Sequence, residues 1–467
     1  MSRVSVAWSG ILIALVVSTA PVAKSEDLPK SATVLDPDCI FYSWPYPTIS
    51  PDGNWVAYVS KGHVCVCNIK APEPLQIMEV SHSWTWPHFV VGAGNSSSTG
   101  SYPEFRELSR DQRNELMAQL TNRIYGVIWT HNSAAFVFGV QRYDAEKKAS
   151  TSDTYLASVK AAVTKLAHID PDTPTRGLVA GTLTRDRKFL VSSGVLATPG
   201  VEKPLLWNVA ANKPRATCFL YLTPSATSGR WIGIEKDTRQ LVIVDEDFQV
   251  TRRFDATRPE RTFGFRLNWS PDERCIIWRN QVGFDHYSNW EGFHMNLDTG
   301  AKRELHGRFM DEQIEFTGRG GEFYRCGQTG AKTRGYDTVV GAHLTIVPEN
   351  DGAAFDLWRI DVDPKGPKPG LLTNRPGNPP LRMSPDGSLF AIGLPRPAGE
   401  RSGVTWHLIN REGKTWRFPG EDNGEFVSPY QLAGFADNGE TVIAYDATRL
   451  FAIPVATVKN EVNEINE

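Results

Sequence analysis

The most ligand-like side chains of this sequence stand together shortly after Val80. They are His82, Trp84, Trp86 and His88. Two tryptophans at positions i and i+2 of an extended chain project from the same face, and flat rings of this size stack on sugars or on aromatic side chains. Two histidines without a third ligand at a recognisable spacing do not predict a metal site. Packing against a neighbouring helix explains the same tryptophans, so the segment predicts either partner binding or internal packing.

A second aromatic group follows in the stretch Gly-Phe-Asp-His-Tyr-Ser-Asn-Trp-Glu-Gly, which begins at Gly283. Its glycines and polar residues are typical of a loop between two strands. Loops carry much of the binding function of proteins because a rigid scaffold holds them at the surface. The residues that we predict to contact a partner are Trp84, Trp86, His88, Phe284, Tyr287 and Trp290.

The motifs of two common classes of hydrolase do not occur in this chain. It contains no Gly-x-Ser-x-Gly nucleophile elbow. Asp52 is followed directly by Gly53, which does not fit the spacing of a sialidase box. We therefore expect no catalytic residue, no cofactor and no metal. The alternative is a carbohydrate-active enzyme such as a metal-dependent polysaccharide lyase, for which His286, His294 and His343 are the scattered candidate ligands.

One short pattern repeats along the chain. Ser-Pro-Asp occurs at positions 50–52, 270–272 and 384–386, each time after an apolar residue and before an apolar or alternating run. Proline fixes φ, aspartate bonds back to a backbone N–H and glycine accepts positive φ, so the pattern is typical of a tight turn between two strands. We expect Asp52, Asp272 and Asp386 to occupy equivalent hairpin turns between the first two strands of their repeats.

Weaker copies of the pattern lie between the sharp ones. The eight turn positions fall near Asp52, Asn132, Asp186, Gly229, Asp272, Gly318, Asp386 and Asn438. Each is followed by short alternating segments that supply four antiparallel strands. Four strands repeated at a period of about 40–50 residues are the signature of a β-propeller. The prediction is an all-β propeller of eight blades, or alternatively seven, with one short helical insertion.

Ser-Pro-Asp-Gly followed by an aromatic or apolar run, together with a later strand such as Leu-Trp-Arg-Ile-Asp at 357–361, resembles the TolB-type propeller repeat. The propeller of the dipeptidyl-peptidase group has a similar repeat and is accompanied there by a hydrolase domain. The resemblance extends over nearly the whole chain as a pattern and is sharp in three or four copies. It implies a fold and carries no catalytic residue.

The first residues are typical of an export signal. An apolar stretch from Ala7 to Ala20 follows Arg3, and Ala23 and Ser25 stand at the small-residue positions of a cleavage site. We expect residues 1–25 to be a signal peptide and 26–467 a single propeller domain. Residues 80–122 form an insertion in or after the first blade, with a capping box that predicts a helix from Ser109. A strand within about 32–44 is expected to close the ring.

Charge and hydropathy limit the partners. The net charge is −3 for the chain, and removal of residues 1–25 takes away two cations and no acid, giving −5. No basic run is present, so we expect no nucleic-acid binding. No later segment is long and apolar enough to span a membrane. The expectation is an exported monomer, periplasmic or extracellular, that acts as a non-enzymatic scaffold for an unknown protein or polysaccharide of the cell envelope.

The cleavage site gives a direct test of export. The mature protein should begin at Glu26, because signal peptidase cuts after the small residue Ser25. Intact-mass measurement and N-terminal sequencing of the protein recovered from its native host check this expectation. A native protein that retains Met1 or Arg3 would contradict it.

Overall fold

The fold is built almost entirely from short antiparallel strands. The computed structural model describes residues 28, 31–39, 46–80, 123–144, 149–169, 181–192, 206–225, 228–254, 265–282, 289–308, 312–333, 336–349, 353–361, 381–395, 404–418, 430–446 and 448–461. Within them the strands form eight four-stranded sheets, each with its strands hydrogen-bonded in chain order apart from the closing strand of the last sheet. This arrangement confirms the predicted all-β propeller, with eight blades rather than seven.

Blades 1 to 4 have the following strands: β2 (Thr48–Ile49), β3 (Trp55–Ser60), β4 (His63–Asn68) and β5 (Leu75–Glu79); β6 (Arg123–Trp129), β7 (Ala135–Asp144), β8 (Ala149–Ser158) and β9 (Val163–Ile169); β10 (Gly181–Leu183), β11 (Phe189–Ser192), β12 (Leu206–Asn208) and β13 (Lys213–Arg215); β14 (Phe219–Pro224), β15 (Trp231–Glu235), β16 (Leu241–Val244) and β17 (Val250–Phe254).

Blades 5 to 8 have these: β18 (Phe265–Trp269), β19 (Cys275–Val282), β20 (Asn289–Asn296) and β21 (Lys302–Arg308); β22 (Glu312–Phe316), β23 (Phe323–Thr333), β24 (Tyr336–Val347) and β25 (Phe355–Asp361); β26 (Leu381–Met383), β27 (Leu389–Pro395), β28 (Val404–Asn410) and β29 (Thr415–Arg417); β30 (Gln431–Ala436), β31 (Thr441–Tyr445), β32 (Leu450–Pro454) and β1 (Thr33–Asp36). A 3₁₀ turn, Asp437–Gly439, joins β30 to β31.

The inner strands of the blades are apolar on both faces because every sheet lies between two others. In β3, Val56 and Tyr58 pack toward blade 8, whereas Ala57 and Val59 pack toward blade 2. Side chains of a strand point alternately to its two faces, so one continuous apolar run supplies two separate contacts. This explains why the repeats read as apolar runs rather than as strict polar–apolar alternation.

The core is divided among the blade junctions. Among the described residues there are eight apolar clusters, and each joins the facing sheets of two adjacent blades, including the junction between blade 8 and blade 1. First strands of neighbouring blades contact one another, as β2 does β30 and β14 does β18. The first strands therefore surround the central axis.

The N-terminal strand supplies the outermost strand of the last blade. β1 pairs antiparallel with β32, with Thr33 opposite Ala452 and Val34 opposite Phe451, and a bulge follows before Asp36. The carboxylate of Asp36 accepts a hydrogen bond of 2.6 Å from Tyr58 of blade 1. Strand β1 thus joins the two ends of the chain and also contacts the first blade.

One element was not expected from the sequence. Directly after the last strand, Val455–Glu461 form a helix, α1. Val455 and Val458 are buried in the cluster between blades 7 and 8, so two valines at positions i and i+3 fix one helix face there. In the described part of the chain no helix has the length and hydropathy that a bilayer crossing requires. The predicted helix after Ser109 lies outside the described residues.

The glycines of the turns allow a test of contact between blades. Gly53 (φ +70°) and Gly300 (φ +73°) both adopt the left-handed conformation, so Ala costs about 1–2 kcal/mol of backbone strain at either position. A Cβ at Gly53 would also lie 2.8 Å from the backbone nitrogen of Asp437 in blade 8, whereas a Cβ at Gly300 meets nothing within 4 Å. We expect Gly53→Ala to lower the free energy of unfolding by at least about 1 kcal/mol more than Gly300→Ala.

Denaturant unfolding of the two variants and the wild type measures this difference. Gly300→Ala is the control for strain alone, because the two substitutions share the same conformation and the same added atom. Equal losses in both variants would show that the turns of blades 8 and 1 do not press against each other.

Candidate functional site

The two ends of the ring are built differently. We call the end that carries the connections between the first and second strands of the blades the turn end, and the opposite end the loop end. Because strands alternate in direction, the strand ends that flank 81–122 and 283–288 both lie at the loop end. Trp84, Trp86, His88, Phe284 and Tyr287 lie outside the described residues.

Trp290 is placed by its backbone alone: it stands in β20, opposite Gln281 and Gly307. The partner surface predicted for the loop end therefore stays a prediction. Among the described residues, many hydrogen-bonded and charged side chains lie together at the turn end.

The eight turn positions identified in the sequence all lie between the first and second strands of their blades. In five blades the turn has one hydrogen-bonding pattern: a hydroxyl at position i donates to a carboxylate or amide oxygen at i+2 and accepts the backbone N–H of i+5. The pairs are Ser50 with Asp52, Thr130 with Asn132, Thr184 with Asp186, Ser270 with Asp272, and Ser384 with Asp386.

The geometry of one copy shows how tight the turn is. Ser384 Oγ lies 2.6 Å from Asp386 Oδ1 and 2.9 Å from the backbone nitrogen of Leu389, and the nitrogen of Ser388 donates to the same carboxylate at 3.1 Å. Burial opposes ionisation of this carboxylate, but the hydrogen bonds from Ser384 and Ser388 outweigh it and hold the pKa of Asp386 below its ordinary range. The pKa values of Asp52 and Asp186 are lowered in the same way.

Neighbouring turns also bond to each other. The backbone nitrogen of Asp52 donates to Ser133 Oγ of blade 2 at 3.0 Å. Glu273 of blade 5 accepts a hydrogen bond from Ser225 Oγ and pairs with Arg230 at 3.0 Å, both in blade 4. These bonds couple the position of each turn to that of its neighbour, so the turn end has a fixed shape.

Two tryptophans lie at equivalent positions directly before the turn hydroxyl. Trp129 Nε1 of blade 2 donates to the carbonyl oxygen of Thr48 in blade 1 at 3.1 Å. Trp269 Nε1 of blade 5 donates to the carbonyl oxygen of Thr223 in blade 4 at 3.2 Å. The indole N–H groups are thus satisfied within the protein, and the rings offer carbon surface to their surroundings.

A pocket of about 670 Å³ opens at the turn end, among residues of blades 1 to 6. Its volume is in the range of small-molecule sites. The walls are apolar and are formed by Trp129, Leu183, Pro224, Trp231, Trp269 and Phe316. The rim carries four exposed polar side chains, His131, Arg185, Asp186 and Glu246.

The floor comes from one structural position of the repeat. Ile128, Thr182, Thr223, Asn268 and Glu315 each stand two residues before the first residue of their turn, and all are half-buried pocket residues. Two residues of an extended strand span about 7 Å, so these side chains lie below the rim. The hydroxyls of Thr182 and Thr223 and the amide of Asn268 make no hydrogen bond within the described part of the chain.

Glu315 is the charged member of the floor. Its Oε1 accepts a hydrogen bond from Gln313 Nε2 at 3.1 Å, and its Oε2 accepts one from the hydroxyl of Tyr324 at 3.1 Å. Tyr324 is 1% exposed. Burial and the adjacent carboxylate of Glu315 raise its pKa well above the ordinary value, so this hydroxyl stays a proton donor.

The histidines proposed as metal ligands are separated. His294 is buried in β20 with its ring against Phe316 and Phe323, and burial, followed by nearby Arg303, lowers its pKa. His343 lines a different cavity, of about 510 Å³, between blades 5 and 6. His286 lies outside the described residues. Within the described ranges no three His, Cys, Asp or Glu side chains converge as metal ligands would.

Sequence reasoning missed the pocket because it treated the residues around the turn as structural only. The repeated aromatic residue before the hydroxyl, Trp129 and Trp269, was one available signal. The position two residues before the turn hydroxyl was a second available signal, because polar side chains are uncommon in a buried inner strand.

No family model and no curated protein matches this sequence. Among solved structures, hydrazine synthase of Kuenenia stuttgartiensis is 12% identical and has a TM-score of 0.41, over 90% of this chain and 97% of that one. The propeller domain of the trilobed protease of Pyrococcus furiosus is 11% identical with a TM-score of 0.40, over 94% and 97%. Oligogalacturonate lyase of Vibrio parahaemolyticus is 11% identical with a TM-score of 0.42, over 91% and 93%.

The hydrogen-bonded turn carboxylates predict how the molecule responds to acid. Because the pKa of Asp386 is lowered in the folded protein, its contribution to stability is complete above the ordinary value of 3.8 and is lost as the pH falls below it. We expect Asp386→Asn to be less stable than wild type by about 1 kcal/mol at pH 7 and to approach wild type near pH 3. Asn132 shows that an amide fits this turn.

Denaturant midpoints at pH 7, 5 and 3 measure the effect. Asp237→Asn is the control, since Asp237 is exposed and makes no hydrogen bond to the described residues. A gap between Asp386→Asn and wild type that stays constant down to pH 3 would contradict the expectation.

Proposed function

We propose that this chain is an exported, TolB-like propeller that acts as a non-enzymatic binding module, and that the pocket at the turn end is a ligand site. The partner predicted from the sequence, a protein or a polysaccharide of the cell envelope, is the source of that ligand. The observation that carries the proposal is the pocket itself, with aromatic walls and a polar floor in a frame of bonded turns.

The frame supports binding because it is fixed before any ligand arrives. Hydroxyl-to-carboxylate bonds set the shape of single turns, and bonds such as Asp52 to Ser133 set one turn against the next. A site that is already ordered loses little conformational entropy when it is occupied. The same rigidity favours recognition over a mechanism that needs a moving lid.

The division of the lining supports a ligand with two kinds of surface. The N–H groups of Trp129 and Trp269 are bonded to backbone carbonyls, so these rings contribute carbon surface, with the guanidinium of Arg230 over the Trp269 ring at 5.6 Å from its centroid. The polar floor groups lie together at one end, at Thr182, Thr223, Asn268 and Glu315. A ligand that fits has an apolar body and a polar tip that reaches the floor.

The partner surface predicted from Trp84, Trp86, Phe284 and Trp290 belongs to the loop end, where the flanking strands end. The turn-end pocket is at the opposite end of the ring, so the proposal includes two separable sites. Large partners are expected at the loop end and a small or terminal ligand in the pocket.

Filling the pocket tests its role. Thr223→Phe places a ring on the pocket floor, and Thr48→Phe places the same ring at the equivalent position of blade 1, which does not line the pocket. The carbonyl of each threonine accepts an indole N–H from the next blade. The hydroxyl of Thr48 is buried, so the stability of Thr48→Phe is measured together with its binding. Labelled protein is applied to printed arrays of peptides and oligosaccharides.

We expect Thr223→Phe to lose at least about tenfold in apparent affinity for the ligands that wild type binds, because the ring removes their space. Thr48→Phe should bind as wild type does. Thermal unfolding of both variants establishes that the propeller is still folded. Retention of all binding by a folded Thr223→Phe variant would place the ligand site elsewhere.

A further inference from the structure

We infer that the turn-end pocket recognises the protonated amino group of a peptide, either its amino terminus or a lysine, with the carboxylate of Glu315 as the ammonium acceptor. This inference rests on the proposed function, since it names the ligand chemistry of the same pocket.

Glu315 is held in place and still has acceptor capacity. Gln313 and Tyr324 each donate one hydrogen bond to a different oxygen of its carboxylate. A carboxylate has about four lone-pair positions, so one remains on each oxygen. Gln313 also donates to the hydroxyl oxygen of Tyr324 at 3.0 Å. The three side chains form a closed group that fixes the carboxylate on the floor of the pocket.

Glu315 is in no ion pair among the described residues, although the charge of Arg382 acts on the adjacent Tyr324 and opposes the rise of its pKa. No Lys, Arg or His nitrogen of those residues lies within 4.0 Å of its oxygens, whereas Glu273, Glu322 and Asp153 are all in ion pairs. A carboxylate beside apolar walls is stabilised when a cation reaches it, because the low-polarity surroundings screen the attraction poorly. The pocket therefore favours a positive ligand.

The other charged and aromatic residues of the pocket also bear on whether a cation fits it. Three carboxylates, Asp186, Glu246 and Glu315, and one guanidinium, that of Arg185, line the pocket. Asp186 is paired with Lys188 at 3.0 Å, so Glu246 and Glu315 are the carboxylates left to set the sign. The aromatic rings of Trp129 and Phe316 add electron-rich surface, to which cations are attracted.

A primary ammonium group suits the floor better than other cations. It has three N–H donors, and the floor presents the carboxylate of Glu315, the side-chain carbonyl of Asn268 and the hydroxyl of Thr223 as acceptors. A divalent metal ion requires more oxygen ligands than these.

The walls favour a peptide over an amino sugar. A sugar has hydroxyl groups around its whole ring, and the indole N–H groups that could meet them are bonded within the protein. An amino-terminal residue with an apolar side chain instead places its one charged group at the floor and carbon against the walls. Leu183 and Pro224 complete that apolar surface.

A bead-bound tripeptide library tests the inference, with every sequence made once with a free amino terminus and once acetylated. A second pair of libraries carries lysine with a free or an acetylated ε-amine, and chitotriose with and without its acetyl groups tests amino sugars. We expect labelled wild-type protein to bind free-amine peptides at least about tenfold more tightly than their acetylated partners, because a charged hydrogen bond is lost on acetylation.

Variants assign the effect to the carboxylate. Glu315→Gln should abolish the preference for the free amine, whereas Glu304→Gln, an exposed carboxylate of β21 outside this pocket, should leave it unchanged. Asn268→Ala should reduce affinity for free amines about threefold to tenfold. Asn268→Ala still tests the inference if Glu315→Gln disturbs Tyr324 and prevents folding.

The outcomes separate the two proposals. Equal binding of free and acetylated peptides that Thr223→Phe abolishes would overturn the amine inference and leave the pocket as a ligand site. Preference for the amino sugar would replace the peptide as the ligand. No binding in any library, with the same result on the arrays, would overturn both proposals.

Discussion

Every blade of this propeller buries both faces of its sheet, and the rest of the structure depends on that constraint. In β19, Ile276 and Trp278 face blade 4 while Cys275 and Ile277 face blade 6. No blade therefore completes its own core, and a row of blades would leave one apolar face exposed at each end. Closing the ring removes both exposed faces, and β1 joins the ends by pairing with β32.

At the turn end, the repeated strands and turns together form the pocket. In five of the eight blades, a hydroxyl bonded to a carboxylate or amide oxygen two residues later fixes the shape of the hairpin. The position two residues earlier is free of that role, and it differs from blade to blade as Ile128, Thr182, Thr223, Asn268 and Glu315. Ring closure brings these five side chains to one floor of the pocket. The turns share one geometry, whereas the side chain at this position differs from blade to blade.

The connections at the two ends of the ring differ in their residues and in their lengths. Connections at the loop end contain the tryptophans and other aromatic residues that sequence analysis singles out, and they vary widely in length. Connections at the turn end are short and bonded to each other, as Glu273 shows by joining Ser225 and Arg230. A short, bonded end suits a small ligand of fixed shape, and a variable end suits a larger partner.

The sequence by itself determined the fold class and the position of the turns, and it left eight or seven blades as alternatives between which the sheet topology decided. Ser-Pro-Asp, and weaker copies such as Thr184 with Asp186, encode local hydrogen bonds between residues two to five apart, so they are readable without tertiary structure. Helix α1 was missed because its two buried valines matter only when blades 7 and 8 are side by side. The pocket was missed for the same reason: Glu315 and Thr223 are about ninety residues apart, and only the closed ring places them on one floor, since their proximity depends on packing between blades and not on any local pattern.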